Sequence, residues 1–177
     1  MQTTTRCFIV LALAAAPLRG QAKPAPDADH AVSTVRGVWQ QMATYITQSA
    51  EEMPAGKYDY RPTAEVRTFG QIVGHVAGSQ YMYCAAATGD SARKEDDIEK
   101  SRTTKDELVA ALKASTAYCA KAYAESDAAT RSAITMFGQK QNRLWALVMN
   151  ATHDGEHYGN IVTYFRLNGM VPPSSKR

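Results

Sequence analysis

Two of the four histidines in this 177-residue chain, His153 and His157, stand four residues apart in a strongly helical stretch near the C-terminus. Imidazoles at i and i+4 lie one above the other on one helix face and together offer two nitrogens to a single metal ion. A third, His75, lies in an earlier amphipathic segment whose face also carries Gln71, Ser79 and Met82. Three neutral imidazoles leave positions open for water, which is the ligand pattern of reactive rather than closed structural metal sites. A buried histidine that merely hydrogen-bonds within a core is the competing reading, and spacing alone does not bring His75 to the other two. His30 falls in a polar lead-in and reads as a bystander.

His153-Asp154-Gly155-Glu156-His157 also has the H-x-x-E-H form of inverted zinc proteases. That reading needs another carboxylate ligand far downstream, and only 20 residues follow His157. Gly155 also weakens a helix that such an enzyme needs rigid, so the protease reading is set aside. Glu156 is the nearest candidate in sequence for a base that takes a proton from water. Tyr164 shares the histidine face with Met149, Asn150 and Asn160 and is a candidate donor to a developing oxyanion. The plainer readings are a solvent-facing carboxylate and an ordinary core aromatic. Gln71, Ser79, Asn150 and Asn160 are candidates for the hydrogen bonds that fix imidazole tautomers.

These residues need long helices to position them, and the apolar periodicity predicts four. Residues 31–52 carry Val32, Val35, Val38 or Trp39, Met42, Ile46 and Ser49 on one stripe. A second helix over 69–88 opens with a capping box, Thr68-x-x-Gln71, and a third over 104–126 with Thr104-x-x-Glu107. The last spans 141–168, with Leu144, Val148, Ala151, Tyr158, Val162 and Phe165 at heptad-like spacing, closed by Gly169 and Pro172-Pro173. Gly70, Gly74 and Gly78 cost the second helix about 1 kcal/mol each relative to alanine, which points to close approach by a neighbouring helix. Residues 90–102 read as an exposed charged loop. Residues 127–140 read as irregular, with Ile134, Met136 and Phe137 packing as a short plug and no strand alternation. The fold class is all-α, a four-helix bundle.

Residues 1–22 read as a secretory signal peptide: Arg6, the apolar run 7–18, then Gly20-Gln21-Ala22 at the cut. That run is shorter than the roughly 20 residues that span a bilayer, so no stable membrane anchor is expected after cleavage. Residues 23–30 form a flexible lead-in, residues 31–177 the bundle, and the expected location is periplasmic or extracellular. Removing Arg6 and Arg19 from the 20 basic residues leaves 18 against 17 acidic ones, so the formal charge falls from +3 to +1. With no basic cluster on any predicted face, a nucleic-acid partner is excluded. Cys84 and Cys119 either join two helices in an oxidising compartment or sit as two small buried hydrophobes.

The run Phe69-Gly70-Gln71 leading to His75, the pair His153 and His157 with Tyr158-Gly159-Asn160, and the ending Tyr164-x-Arg166-x-x-Gly169-x-x-Pro172-Pro173-Ser174 resemble the DinB/YfiT-like superfamily of bacterial helical-bundle metalloproteins. Tyr60-x-Pro62 resembles the usual lead into its second helix, and the likeness covers roughly 31–175. The resemblance implies an up-up-down-down bundle with one divalent ion (zinc, nickel or iron) held by His75, His153 and His157, and frequently a homodimer. Members transfer thiol cofactors, isomerise with a thiol, or hydrolyse amides and other bonds. Where many members have His-Arg-Gly-Gln, this chain has His157-Tyr158-Gly159-Asn160, so an arginine contact to an anionic cofactor is missing. Export also removes the chain from abundant low-molecular-weight thiols. The expectation is an exported metal-dependent hydrolase, less readily a thiol transferase, acting on a small molecule. The alternative is a non-catalytic periplasmic bundle that holds a metal or small ligand. A metal-free bundle under redox control through Cys84 and Cys119 is a third reading.

Overall fold

The structure, a computed structural model, describes residues 30–176. The expected signal peptide and residues 23–29 of the lead-in lie outside the described residues. Helix α1 runs His30–Glu52, α2 Phe69–Thr88, the short α3 Asp97–Ser101, α4 Lys105–Ala122 and α5 Arg143–Leu167. Strands β1 (Ala133–Met136) and β2 (Gln139–Asn142) form an antiparallel hairpin before α5.

Local chemistry sets the helix ends. Both capping boxes form, Thr68 with Gln71 and Thr104 with Glu107, so the first free N–H groups of α2 and α4 are satisfied from within the chain. The Asn142 side chain accepts from Trp145 N–H at the start of α5. Asp127 caps α1 from far along the sequence, accepting from the N–H groups of Ala31 and Val32 at 3.0 and 2.8 Å. Gly89 ends α2 in the left-handed conformation that glycine adopts without a Cβ clash.

Side-chain contacts fix the helix directions. Phe69 lies by Tyr164 and Phe165, and Gly89 by Arg143, so α2 and α5 are antiparallel. Leu108 lies against Gly70 while Cys84 bonds Cys119, so α2 and α4 are parallel. Tyr45 stacks on Tyr158 and Met42 approaches Gly155, which makes α1 parallel to α5. The order is therefore up-down-down-up, which corrects the up-up-down-down arrangement implied by the resemblance. The reason lies in the connections: α1 reverses into α2 through 53–68, whereas 89–104 carries the chain back along α2 before α4 begins.

The apolar core has two lobes. One gathers Ile46, Phe69, Val73, Leu112, Ile161 and Phe165; the other gathers Trp39, Tyr83, Tyr123, Ala146 and Leu147 around the Cys84–Cys119 disulfide. The cysteines are thus bonded as well as fully buried. Their separation of 35 residues corresponds to about 3–4 kcal/mol of stabilisation in the chain-entropy picture. Three sequence expectations change. Val148 is exposed, because α5 packs against both α1 and α2 and its buried face turns toward Leu147, Asn150 and Asp154, whereas on α1 it is Trp39 rather than Val38 that is buried. Residues 97–101 are helical. Residues 133–142 are a hairpin rather than an irregular plug, with Phe137 standing 64% exposed at its tip.

The glycine edge of α2 meets neighbours it could not meet with side chains. A Cβ on Gly70 would lie 3.2 Å from the Tyr58 carbonyl oxygen, and one on Gly74 2.9 Å from Glu99 Cα. One on Gly78 would overlap the Glu95 carbonyl oxygen. The close neighbour is thus mainly the segment 95–99, not a long helix. Gly78→Ala is expected to lower stability by about 1–3 kcal/mol by pushing that segment away. Gly37→Ala, which meets nothing within 4 Å, should raise it by up to about 1 kcal/mol. Urea unfolding of the two variants checks the contrast; equal effects would remove the packing reason for the glycine spacing.

Candidate metal centre

His75 sits mid-way along α2, one residue beyond Gly74, while His153 and His157 occupy successive turns of α5 facing it. His153 Nε2 lies 3.2 Å from His75 Nε2 and 3.1 Å from His157 Nε2. Ligand atoms about 2.0–2.1 Å from a common zinc ion stand roughly 3 Å apart, so the three nitrogens have the spacing of donors to one ion. His75 and His157 are buried, and the His153 side chain is largely so. The cluster can hold one metal ion.

Its electrostatics fit that use. Burial is the main cause that lowers the His153 pKa to about 4 and the His157 pKa to about 3, with the neighbouring imidazoles and Arg67 adding to it. Burial also lowers the pKa of His75, against the opposing pull of Glu95 and Glu99. All three rings are therefore neutral at pH 7, the form that binds metal. Three uncharged rings point nitrogen at nitrogen, and at most one proton can sit between any two. A divalent ion satisfies all three lone pairs at once.

The surrounding groups orient the rings. Glu99 accepts a hydrogen bond from Arg67 Nε at 3.0 Å, and its other oxygen lies 3.5 Å from His75 Nδ1. That charge favours a proton on Nδ1 and leaves Nε2 free as a ligand. The Asn160 carboxamide is 3.3 Å from His157 Nδ1. Turned with Oδ1 toward the ring, it accepts the Nδ1 proton and frees Nε2 in the same way. Of the other suggested orienting residues, Gln71 caps α2, Ser79 donates to Glu95, and Asn150 donates to the Tyr123 hydroxyl. Asp154, beside His153, is fully buried, and neither carboxyl oxygen has a hydrogen-bond partner among the described residues. Burial raises its pKa well above the usual carboxylate range.

Glu156 is exposed on α5, and none of the described ion pairs joins it to the imidazoles. Tyr164 lies two turns beyond His157, its hydroxyl donating to the Arg67 carbonyl and its ring packed on Tyr60 and Phe69. Besides Glu99, the carboxylate that reaches the cluster is Glu95, which the sequence places in an exposed charged loop. Its Oε1 is 3.7 Å from both His75 Nε2 and His153 Nε2 and accepts from Ser79 Oγ at 2.9 Å. The signal was present in the glycine spacing: each of Gly74 and Gly78 immediately precedes a residue of the site face, His75 and Ser79. Whatever packs on those glycines must therefore border the histidines.

The DinB superfamily model matches residues 38–161, a span that contains all three histidines. The chain belongs to the DinB superfamily. Among solved structures, a DinB-like protein from Bacillus cereus is similar with a TM-score of 0.66 at 13% identity, over 80% of this chain and 95% of that one. A structure described as a DinB-family member from Exiguobacterium sibiricum gives 0.61 at 20% identity, over 81% and 93%. A mycothiol-dependent maleylpyruvate isomerase gives 0.61 at 15% identity, over 82% and 78%. At these identities the structures share the DinB fold alone. No curated protein matches the sequence.

The depressed histidine pKa values set a pH dependence for the ion-free DinB protein. Unfolded histidines titrate near about 6.5, whereas folded His153 and His157 do so at about 4 and about 3. Between those limits the unfolded chain takes up protons that the folded chain does not, so stability falls as pH drops from about 6.5 to about 4. The Tm of the ion-free protein should fall across that window more steeply than that of the His153→Gln, His157→Gln double variant. Parallel slopes in thermal melts would show that the rings are not held neutral.

Proposed function

We propose that this DinB protein is an exported metal-dependent enzyme, a hydrolase or less readily a transferase of small molecules. His75, His153 and His157 would hold one divalent ion: zinc, nickel or iron. The observation that carries the reading is the convergence of three largely buried neutral imidazoles, with the half-exposed carboxylate of Glu95 beside two of their inward nitrogens. When bound, such an ion supplies Lewis acidity and makes a water at an open position acidic near neutral pH. Glu95 Oε1, held by the Ser79 hydroxyl, is placed to take up a proton there, the role that sequence reading gave to Glu156. Glu99 and Asn160 keep the lone pairs of His75 and His157 on Nε2. Tyr164, with its hydroxyl committed to a backbone carbonyl, serves packing rather than oxyanion stabilisation.

Export rests on residues 1–22, and the Cys84–Cys119 disulfide supports an oxidising compartment. The fold shared with a mycothiol-dependent isomerase suggests a thiol cofactor, but export and Tyr158 in place of an arginine weigh against it. A homodimer without nucleic-acid contact completes the reading. One observation favours a second reading: Glu95 is near enough to two ligand nitrogens to become a fourth ligand. It would then close the site and make the protein a metal- or ligand-binding bundle.

Elemental analysis of the untagged mature protein beside His153→Ala and Glu95→Gln separates these readings. The enzyme reading expects about one equivalent of zinc, nickel or iron in the wild type, lost in His153→Ala and retained in Glu95→Gln. A Glu95→Gln variant that binds metal at least tenfold more weakly would favour the closed site. No metal in the wild type after reconstitution would sink both.

A further inference from the structure

A cavity of about 430 Å³ lies between the C-terminal half of α2, the loop that follows it and the hairpin. Met82, Ala86, Ile134, Met136 and Phe137 make it mainly apolar, with Asp90 and Arg93 also lining it. Its volume is within the range of small-molecule sites, about 300–1,000 Å³.

Phe137 is out of place by local rules. It opens a two-residue hairpin turn with φ of 50°, followed by Gly138 at 76°, and is the one described non-glycine residue with positive φ. Turns of this kind favour Asn-Gly, and a bulky side chain there is strained. Burial does not offset the strain, because the residue is 64% exposed. The ring nevertheless meets Tyr83 and Trp145 edge-on, with centroids 6.2 and 6.4 Å apart. A costly aromatic held half over an apolar cavity fits a functional use better than a packing one.

Two elements that line the cavity, α2 and the loop that follows it, also border the histidine cluster. Ser79, which holds Glu95, and Met82, which lines the cavity, are three residues apart on α2, about 4.5 Å along the axis. The loop passes from Arg93 at the cavity to Glu95 at the imidazoles. Tyr83 neighbours both regions, its ring 5.9 Å from His153 and 6.2 Å from Phe137.

We propose that this cavity is the subsite for an apolar, ring-sized group of the substrate, with Phe137 as its outer wall and Tyr83 flanking the way to the histidines. The substrate class is then a small molecule whose polar reacting group is joined directly to such a substituent. This rests on the reading of the three histidines as a metal-dependent centre.

The test uses zinc-loaded protein and three probes. Acetohydroxamate carries a metal-seeking head alone, 4-fluorobenzohydroxamate adds the ring, and 4-fluorobenzyl alcohol carries the ring without the head. Two variants alter the cavity: Ala86→Phe fills it, and Phe137→Asn removes its wall while restoring the favoured Asn-Gly turn. The fluorinated hydroxamate should bind at least about tenfold more tightly than acetohydroxamate, as read by calorimetry. Both variants should erase that advantage and leave acetohydroxamate affinity unchanged. The alcohol should bind saturably by fluorine NMR and lose binding in both variants. Acetohydroxamate binding with no gain from the ring, or a gain that survives Phe137→Asn, overturns the subsite and leaves the metal reading intact. Failure of acetohydroxamate to bind counts against the metal-dependent centre. Alcohol binding without any hydroxamate binding would detach the cavity from the histidines, and the subsite proposal would fail with it.

Discussion

Three imidazole rings converge nitrogen to nitrogen inside a helical bundle, where desolvation makes a charged ring costly. The core tolerates them only uncharged, and most features around the site follow from that requirement. His153 and His157 are kept neutral chiefly by burial and secondarily by neighbouring imidazoles and Arg67. Protons on the outward nitrogens are favoured by Glu99 at His75 and by the Asn160 carboxamide at His157. A site of neutral donors facing inward and polar partners facing outward suits a divalent cation, because the ion supplies the charge the rings may not carry.

That arrangement depends on backbone rather than side-chain packing along one edge of α2. Gly74 and Gly78 let the segment 95–99 lie so close that its backbone replaces the volume a side chain would fill. Glu95 and Glu99 are thereby brought to the histidines from a stretch rich in charge, and Arg67 and Ser79 hold them there. The intrinsic helix cost of the glycines is the condition for placing two carboxylates beside a buried cluster. The same loop continues toward the hairpin, so the polar site and the apolar cavity share walls.

The two lobes of the core divide the mechanical work. Aromatic rings from α1, α2 and α5 close the lobe around Phe69, with the Tyr58 hydroxyl donating to the Ala50 carbonyl. The other lobe is tied by the disulfide and by Tyr123, which stacks on Trp39 and donates to the Leu147 carbonyl at 2.8 Å. The histidines lie between these fixed regions, where α2 and α5 face one another. Loops and the hairpin supply the variable surroundings, the usual division between a rigid scaffold and the segments that shape a site.

Helix existence, helix ends and the ligand pair were legible because they are local. Apolar spacing located α1, α2, α4 and α5 to within a few residues, both capping boxes formed as read, and an i, i+4 pair shares a face in any helix. The hairpin was not legible, since Phe-Gly is a poor turn signal and β2, Gln-Lys-Gln-Asn, shows no apolar alternation. Exposed Val148 and buried Asp154 escaped because α5 meets more than one neighbour, so no single stripe describes what it buries. Glu95 and Glu99 escaped because a charged loop reads as solvated until something holds it down. By itself, the sequence determined the helices and the residue types able to bind a metal. Only the tertiary structure decided that His75 meets His153 and His157, that the cysteines pair, and that Glu95 lies beside the histidines. Those choices depend on which helix faces which, set by chain reversals and close glycine contacts between residues far apart in sequence.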